Sequence, residues 1–531
     1  MSFVSMNFYV FLAATFAAYY LFPPRYKWRV LLAGSYLFYA LADFRVMYCI
    51  VFTTITVFYT GRMLDKVHKK QALLFSQKDA QWLKENRKEC IARFTRERRR
   101  ILLAALLLNF GILALIKYSG FVSININLLL GAFSVPFQIP TLHFLLPLGI
   151  SFYTFQSMGY IMDVYRGKYP ADDNLFKFAL FVSFFPQIIQ GPISRHDQLA
   201  KQLYEPHSFD YTQFKHGIEL IVWGTFKKAV IADRAAQLVV AVIPNYERYP
   251  GFGIVYAIIA SMLQVYTDFS GGIDISRGVA QCLGIDMVEN FRRPYFATSV
   301  SDYWRRWHIT LGAWMKDYLL YPVSLSRAFS RLGKFSRKHF GNYLGKLIPA
   351  CLGMVIVFLA VGIWHGANWK YIIYGLYYGF LIVAGLLMEP PLQRLRKKHP
   401  SISTDKPFWH VFAILRTVFL VYIGKFFSIA DNVPEAISMM KLSFSKFNPQ
   451  ILFTGYLADT GFNKYQLFLL CVSGLCLFCV SFLQEKGVKI RVALDERHLV
   501  VRWGVYYIFL FGILLFSVSS SMTGGFFYAQ F

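Results

Sequence analysis

The chain has 531 residues, 56% of them hydrophobic and only 16% charged, with a mean hydropathy of +0.42. Soluble proteins average about 25% charged residues, so this composition excludes a disordered chain, a coiled coil and an ordinary cytosolic enzyme. The formal charge is +27, from 56 basic and 29 acidic residues, and its placement in loops between apolar runs points to membrane topology and away from nucleic acid.

In chain order, runs long enough to span a bilayer lie near 6–22, 28–42, 44–61, 101–118, 142–162, 218–243, 252–269, 347–363, 370–388, 408–428, 465–483 and 500–517. A crossing needs about 20 apolar residues. Two further stretches, 175–193 and 303–321, are interrupted by proline or polar groups and predict re-entrant or half-buried helices. The first run lacks a basic leader and a small-residue cleavage site, so it reads as a span and not as a signal peptide. No internal repeat and no period-two alternation is visible. The expected fold is all-α and polytopic, with about 11–12 transmembrane helices plus the half-buried ones, as one membrane domain over 1–531. The seven cysteines (49, 90, 282, 351, 471, 476 and 479) mostly lie in apolar runs and read as reduced thiols. No metal-binding array and no resident cofactor is expected.

Loop charge orients the chain. Residues 62–100 hold 13 basic against 5 acidic residues, 322–346 hold six basic and no acid, and 484–502 hold five and three. Residues 1–24 and 119–141 carry no charge, and 429–464 is balanced at three and three. The positive-inside rule then puts the basic loops in the cytoplasm and both termini outside.

Polar groups inside apolar runs cost roughly 2.5–3.5 kcal/mol for Arg, Lys or Asp at a helix centre, which makes them functional candidates. Four clusters stand out. In Val361-Gly-Ile-Trp-His-Gly-Ala-Asn-Trp369, Gly366 permits a bend beside His365, Trp364 and Trp369 can wall a dry pocket, and Asn368 can hydrogen-bond the imidazole. The alternative is a turn histidine with interfacial tryptophans. In Ser301-Asp-Tyr-Trp-Arg-Arg-Trp-His-Ile-Thr-Leu-Gly-Ala-Trp314, Ser299 or Ser301 can cap a helix on which Trp304, His308, Leu311 and Met315 share a face. Arg305 and Arg306 could meet phosphate or carboxylate, or simply sit at the interface. In Gln264-Val-Tyr-Thr-Asp-Phe-Ser-Gly-Gly-Ile-Asp-Ile-Ser-Arg277, Gly271-Gly272 are expected to break a helix. There Asp268 could hold an arginine or orient a histidine, and Asp274 and Arg277 could neutralise each other. Finally, Pro147, Pro186 and Pro192 disrupt helices near Gln156, Gln187 and Gln190, which line a cavity or glue helices together. The sequence has no Walker loop, GxGxxG, HExxH or GxSxG. Histidine in a membrane cavity is the chemistry that remains.

Together, Trp364-His-Gly-Ala-Asn-Trp369, Tyr303-Trp-Arg-Arg-Trp-His-Ile-Thr-Leu311, Asn290-Phe-Arg-Arg-Pro-Tyr295 and Pro147-Leu-Gly-Ile-Ser151 resemble the membrane-bound O-acyltransferase family. The branch most resembled is the bacterial one that acylates alginate and teichoic acid, over a motif-bearing core of about 142–385. The resemblance implies helices around a central tunnel, an essential histidine at His365 and a supporting one at His308. It also implies a thioester donor (acetyl-CoA or an acyl carrier protein) entering from the cytoplasm and an acceptor hydroxyl outside. On this reading Trp304, Trp307, Trp364, Asn368, Trp369, Arg305, Asp268 and Gln190 line the tunnel. His365 deprotonates the hydroxyl, and His308 holds the donor or polarises its carbonyl. The expected function is acyl transfer, most simply of acetyl, to a bacterial envelope polysaccharide or to a secreted esterase-like partner. D-alanylation of teichoic acid and a non-enzymatic transporter or flippase are the alternatives. The insert at 62–100 and the loop 429–464 carry no motif. The aromatic end Gly524-Gly-Phe-Phe-Tyr-Ala-Gln-Phe531 is expected to plug or line the outer funnel with Tyr528 near the reaction, or merely to pack.

Overall fold

The computed structural model describes residues 5–518 apart from 143, 189, 403–405, 453 and 455–461. The aromatic C-terminal end, Tyr528 included, lies outside the described residues. Every regular element described is helical, and one isolated antiparallel bridge joins Phe291 to Trp307. In chain order the helices are α1 (Met6–Leu21), α2 (Lys27–Asp43), α3 (Met47–Ser76), α4 (Ala80–Ala132), α5 (Ile150–Arg166), α6 (Leu175–Ser183), α7 (Phe185–Ile188), α8 (His196–Tyr204), α9 (Tyr211–Thr225), α10 (Asp233–Val242) and α11 (Phe252–Cys282). They continue as α12 (Val300–Arg306), α13 (Ile309–Met315), α14 (Tyr321–Ser324), α15 (Arg327–His365), α16 (Trp369–Lys398), α17 (Pro407–Ile429), α18 (Val433–Ser443), α19 (Lys464–Glu485), α20 (Ile490–Asp495) and α21 (Leu499–Phe516).

Small polar residues start the apolar helices. Ser5, Asp79, Asn174, Ser326, Asn368 and Asn463 each accept a backbone N–H of the first turn, satisfying donors that hydrocarbon would leave orphaned. Among the described residues, eight helical stretches are long and apolar enough to cross a membrane, against the eleven or twelve read from hydropathy. The difference has three sources. α2 and α3 fall within one helical run, Pro24–Ser76. α1 and α5 have only 16 and 17 residues. The stretch 218–243 is broken by a π-helical turn, Phe226–Ala232.

The contacts divide into two units, Met1–Ile218 with Ser276–Val288 and Glu219–Ile275 with Glu289–Phe531. In the first, Phe11, Phe38 and Phe185 pack edge-on and tilted between α1, α2 and α7, at ring separations of 5.2–5.9 Å. The basic insert 62–100 consists of the polar halves of α3 and α4, with His68 3.1 Å from the Tyr165 carbonyl and 2.7 Å from an Arg98 nitrogen. The predicted interruption in 175–193 is real, since the helix stops at Ser183 and restarts at Phe185. Ser276 Oγ donates to the Pro186 carbonyl. Gln187 Nε2 donates to Gln156 Oε1 at 2.5 Å, and Gln156 Nε2 to the Phe181 carbonyl at 2.8 Å. These two glutamines are polar glue between helices.

In the second unit α11 runs unbroken through Gly271-Gly272, contrary to the expected break. A Cβ on Gly224 would stand 2.6 Å from the Gly271 carbonyl oxygen, and one on Gly271 would stand 2.8 Å from that of Gly224. The glycines let α9 and α11 cross backbone to backbone, which outweighs a propensity cost of about 1 kcal/mol each. Around the crossing, Lys228 ion-pairs with Asp268 at 2.6 Å and Asp233 at 2.8 Å, all three side chains being 2% exposed. Lys227 pairs with Asp274 at 2.6 Å and donates to Ser270 Oγ at 2.9 Å. Asp268 therefore takes a lysine where an arginine or histidine was expected, and Asp274 pairs with Lys227. Helices α15 and α16 form the hairpin that carries the site; a Cβ on Gly362 would lie 3.2 Å from the Gly375 Cα. Gly341 interrupts α15 at a φ of 80°. All seven cysteines are free.

Candidate active site

His365 is the last residue of α15, and Gly366 follows it in extended backbone. A Cβ at Gly366 would run into the Tyr371 ring, so only glycine lets the chain turn this closely back into α16. His365 is 8% exposed. Its ring lies 5.1 Å from that of Trp364, 6.2 Å and stacked from Tyr371, and 5.6 Å and edge-on from Tyr374. It opens on a cavity of about 50 Å³, shared with Tyr371, Tyr374 and Tyr378 of the same hairpin. Tyr295, Tyr303 and Trp307 close one side, Met262 and Val265 of α11 another, and Lys425 and Ser428 of α17 a third. That volume holds a few waters or a small acyl group.

His308 is held differently. Phe291 and Trp307 bridge as short antiparallel partners, with Arg292 N–H donating to the Arg306 carbonyl and Ile309 N–H to that of Asn290, at 2.9 and 3.0 Å. The pairing draws Trp307 out of helix and leaves His308 in the left-handed region at φ 47°. The predicted shared face of Trp304, His308, Leu311 and Met315 is therefore absent, because α12 ends at Arg306 and α13 begins at Ile309. Asn290 Oδ1 secures the break by accepting from Thr310 N–H at 3.0 Å and Thr310 Oγ1 at 2.9 Å, with His308 Nδ1 3.3 Å away. The His308 ring is 2% exposed, 4.9 Å from the Phe269 ring and 5.4 Å from that of Trp364. Burial first, and the neighbouring His365 second, push its pKa down to about 3, so this imidazole is neutral at physiological pH. Trp364 thus touches both histidines, one facing the cavity and one behind.

The remaining expected residues divide. Trp307 lines the cavity, and Trp304 packs edge-on against Phe358 and Tyr378. Ser299 caps α12 as expected, accepting from Asp302 N–H at 3.1 Å. Asn368 does not address the imidazole. It caps α16 through Lys370 N–H and donates to the Asp431 carbonyl, because a helix start demands an acceptor there. Trp369, at the first helical position, is 55% exposed and stands away from the cavity lining. Arg305 points outward and pairs loosely with Asp302 at 3.7 Å, while Arg306 turns in to Asp302 and Glu485, both at 2.9 Å. Glu485 also holds Arg293 at 2.6 Å. Gln190 is fully buried in the first unit. Sequence reasoning passed over Asn290 as a brace and over Lys425. The second had a signal, a lysine inside the apolar run 408–428.

The family model described as MBOAT, membrane-bound O-acyltransferase family, matches residues 170–337. A probable alginate O-acetylase AlgI of Azotobacter vinelandii is 32% identical over 441 residues, covering 82% of this chain and 76% of that protein. The peptidoglycan O-acetyltransferase of Helicobacter pylori is 29% identical over 64% of each chain. The teichoic acid D-alanyltransferase of Bacillus subtilis is 27% identical over 52% of this chain and 67% of its own.

Proposed function

We propose the following reaction for this chain, which belongs to the membrane-bound O-acyltransferase family and is a multi-pass membrane O-acyltransferase: an acetyl group passes from a cytoplasmic thioester to a hydroxyl of an envelope polysaccharide such as alginate or peptidoglycan. The observation that carries it is His365 on the wall of a small, aromatic-lined cavity. As the acceptor oxygen attacks the thioester carbonyl carbon, the His365 imidazole takes the hydroxyl proton. The thiolate that leaves then takes that proton back. A positioned base of this kind contributes about 10²–10⁴-fold in rate. The rings of Tyr371, Tyr374 and Trp364 hold the imidazole and keep water from the thioester. His308 acts from behind Trp364, fixing the wall against which His365 rests, and not on the donor carbonyl.

The donor is acetyl-CoA or an acylated carrier protein, drawn to the basic loops at 62–100 and 322–346, which face the cytoplasm of a bacterial plasma membrane. The acceptor is a polysaccharide, or a secreted partner that passes the acetyl on. Identity to the alginate acetylase, 32% over 82% of this chain, exceeds the 27% over 52% to the teichoic acid D-alanyltransferase of Bacillus subtilis, which favours acetyl over D-alanyl. The test uses membranes containing the protein, given acetyl-labelled thioester and an uronate polymer or a peptidoglycan fragment. The expected product is label on polymer, released by mild alkali as an ester should be. Movement of label across the membrane without any ester formed would instead establish a transporter. Impermeant thiol labelling checks orientation, with a cysteine at Ser336 expected to resist labelling from outside intact cells.

A further inference from the structure

The cavity beside His365 has a much larger apolar neighbour. A groove of about 790 Å³ lies between α11 and α17. Phe252, Val255, Ile259 and Leu263 of α11 form one wall, and Leu415, Val418, Phe419 and Tyr422 of α17 form the other. Phe447 borders one end, its ring edge-on to that of Phe252 at 5.1 Å. Ile259, Leu415 and Phe419 are each at least half exposed, so the groove opens on an apolar face that suits lipid. Two residues, Met262 and Tyr295, line both this groove and the cavity of about 50 Å³ that holds His365. On α17 the division falls between neighbours, with Val421 on the cavity and Tyr422 on the groove. What separates the two spaces is one thioether chain and one phenol ring.

The halves of that partition are held differently. Tyr295 Oη donates to the Met262 carbonyl at 2.8 Å, and its ring packs against those of Tyr266 and Tyr303 at 5.4 and 6.3 Å. Met262 enters the partition through an unbranched, adaptable side chain. Because Tyr295 is anchored on the Met262 backbone, trimming the methionine side chain leaves that hydrogen bond in place. A small acyl group with its carbonyl at His365 fits the cavity. Each further methylene needs apolar room that the cavity lacks and that the groove, across Met262, supplies.

We propose that Met262 sets the length of the acyl group, confining transfer to acetyl by shutting the reaction cavity off from the groove. This rests on the acyl-transfer reading above and names the residue that fixes its donor. The bonds made and broken stay the same: carbon–sulfur is cleaved, carbon–oxygen is formed, and the hydroxyl proton reaches the departing thiolate by way of His365. Met262 acts on fit. A methionine that merely packed would, on removal, weaken every donor alike.

The experiment compares wild type, M262A, M262V, I259A and H365A in lipid nanodiscs with a soluble acceptor. The donors are acetyl, butyryl and octanoyl thioesters of both coenzyme A and an acyl carrier protein. One methylene in a fitted apolar pocket is worth about 10–200-fold in kcat/KM, so wild type should use octanoyl at least about 100-fold less well than acetyl. M262A should raise kcat/KM for octanoyl by at least about tenfold, while its value for acetyl falls by less than that. M262V should show the same change in smaller measure, first with butyryl. I259A, which borders the groove alone, should keep the wild-type ratio between donors. A wild type that takes octanoyl nearly as well as acetyl overturns the proposal, as does an I259A that shifts the ratio as far as M262A. If M262A is inactive with every donor, M262V decides, and an unchanged donor ratio there also overturns it. H365A tests the layer beneath: transfer of acetyl at more than half the wild-type rate removes the acyl-transfer reading itself, whatever Met262 does.

Discussion

At His308 the chain turns left-handed between two short helices and buries its imidazole behind Trp364; at His365 a long helix simply ends, and the imidazole faces an open space. Both residues follow a tryptophan, and both touch the ring of Trp364. What differs is the source of the bend. At His365 it comes from the next residue, Gly366, whose missing side chain makes room for Tyr371. At His308 it is imposed from eighteen residues upstream, by Asn290 and the Phe291–Trp307 bridge. A histidine freed by a local glycine can face a substrate. One pinned by a distant brace sets its Nδ1 beside Asn290 and packs its ring between Phe269 and Trp364. The more deeply buried histidine is thus the less available of the two.

The largest expected effect comes from His365. H365A should lower kcat by 10²-fold or more, the usual consequence of losing a general base, with the protein still monodisperse in detergent. If it keeps more than half of wild-type turnover, the two histidines are equivalent wall residues and the contrast collapses. H308A should lower kcat by about tenfold or less, because its influence passes through Trp364, but should cost about 2–5 kcal/mol of stability as a buried ring is lost. Thermal unfolding alongside the rate assay tells these two losses apart.

A sharper test of the break at residue 308 uses glycine. In the left-handed region a side chain costs about 1–2 kcal/mol that glycine does not pay, so H308G should be more stable than H308A by about 1 kcal/mol. Were His308 on a continuous helix, the order would reverse by a similar amount. A smaller effect accompanies acid. The folded pKa of His308 lies near 3, below the ordinary value of about 6.5. Between those values the unfolded chain binds a proton that the folded one refuses, and stability falls as pH drops. H308G lacks this group, so its unfolding temperature should decline less than wild type's between pH 7 and 5.

The helix reading of 303–321 failed for a reason visible in those same atoms. Local spacing placed Trp304, His308, Leu311 and Met315 on one stripe, and nothing within that window announces a bridge to Phe291. Asn290-Phe-Arg-Arg-Pro-Tyr295 was legible as a motif but not as a brace, since its work is done on residues fourteen to twenty positions away. Gly271-Gly272 misled in the opposite sense. Read alone, two glycines weaken a helix; placed against Gly224, they are what lets α11 pass. The apolar runs were read well because a membrane span is a local property, as the near coincidence of 408–428 with α17 shows. Asn368 was legible as a polar group beside His365, but capping and ligand-binding asparagines look alike until the helix start is located.

Trp369 is where the smallest effect is expected, and that makes it the most informative about the pattern Trp364-His-Gly-Ala-Asn-Trp369. By spacing, its two tryptophans are symmetric about the histidine, and both were expected to line the pocket. The structure separates them. Trp364 is buried between the two imidazoles, while Trp369 stands on the first turn of α16 with over half of its surface exposed. An amphipathic ring at a helix end suits the headgroup level of a bilayer, so W369A should change kcat and donor KM by less than about twofold. W364A removes the ring that joins His308 to His365 and should lose kcat well beyond that. Equal losses in W364A and W369A would place the second ring at the reaction after all, and the cavity now bounded by tyrosines would have to open on that side during turnover.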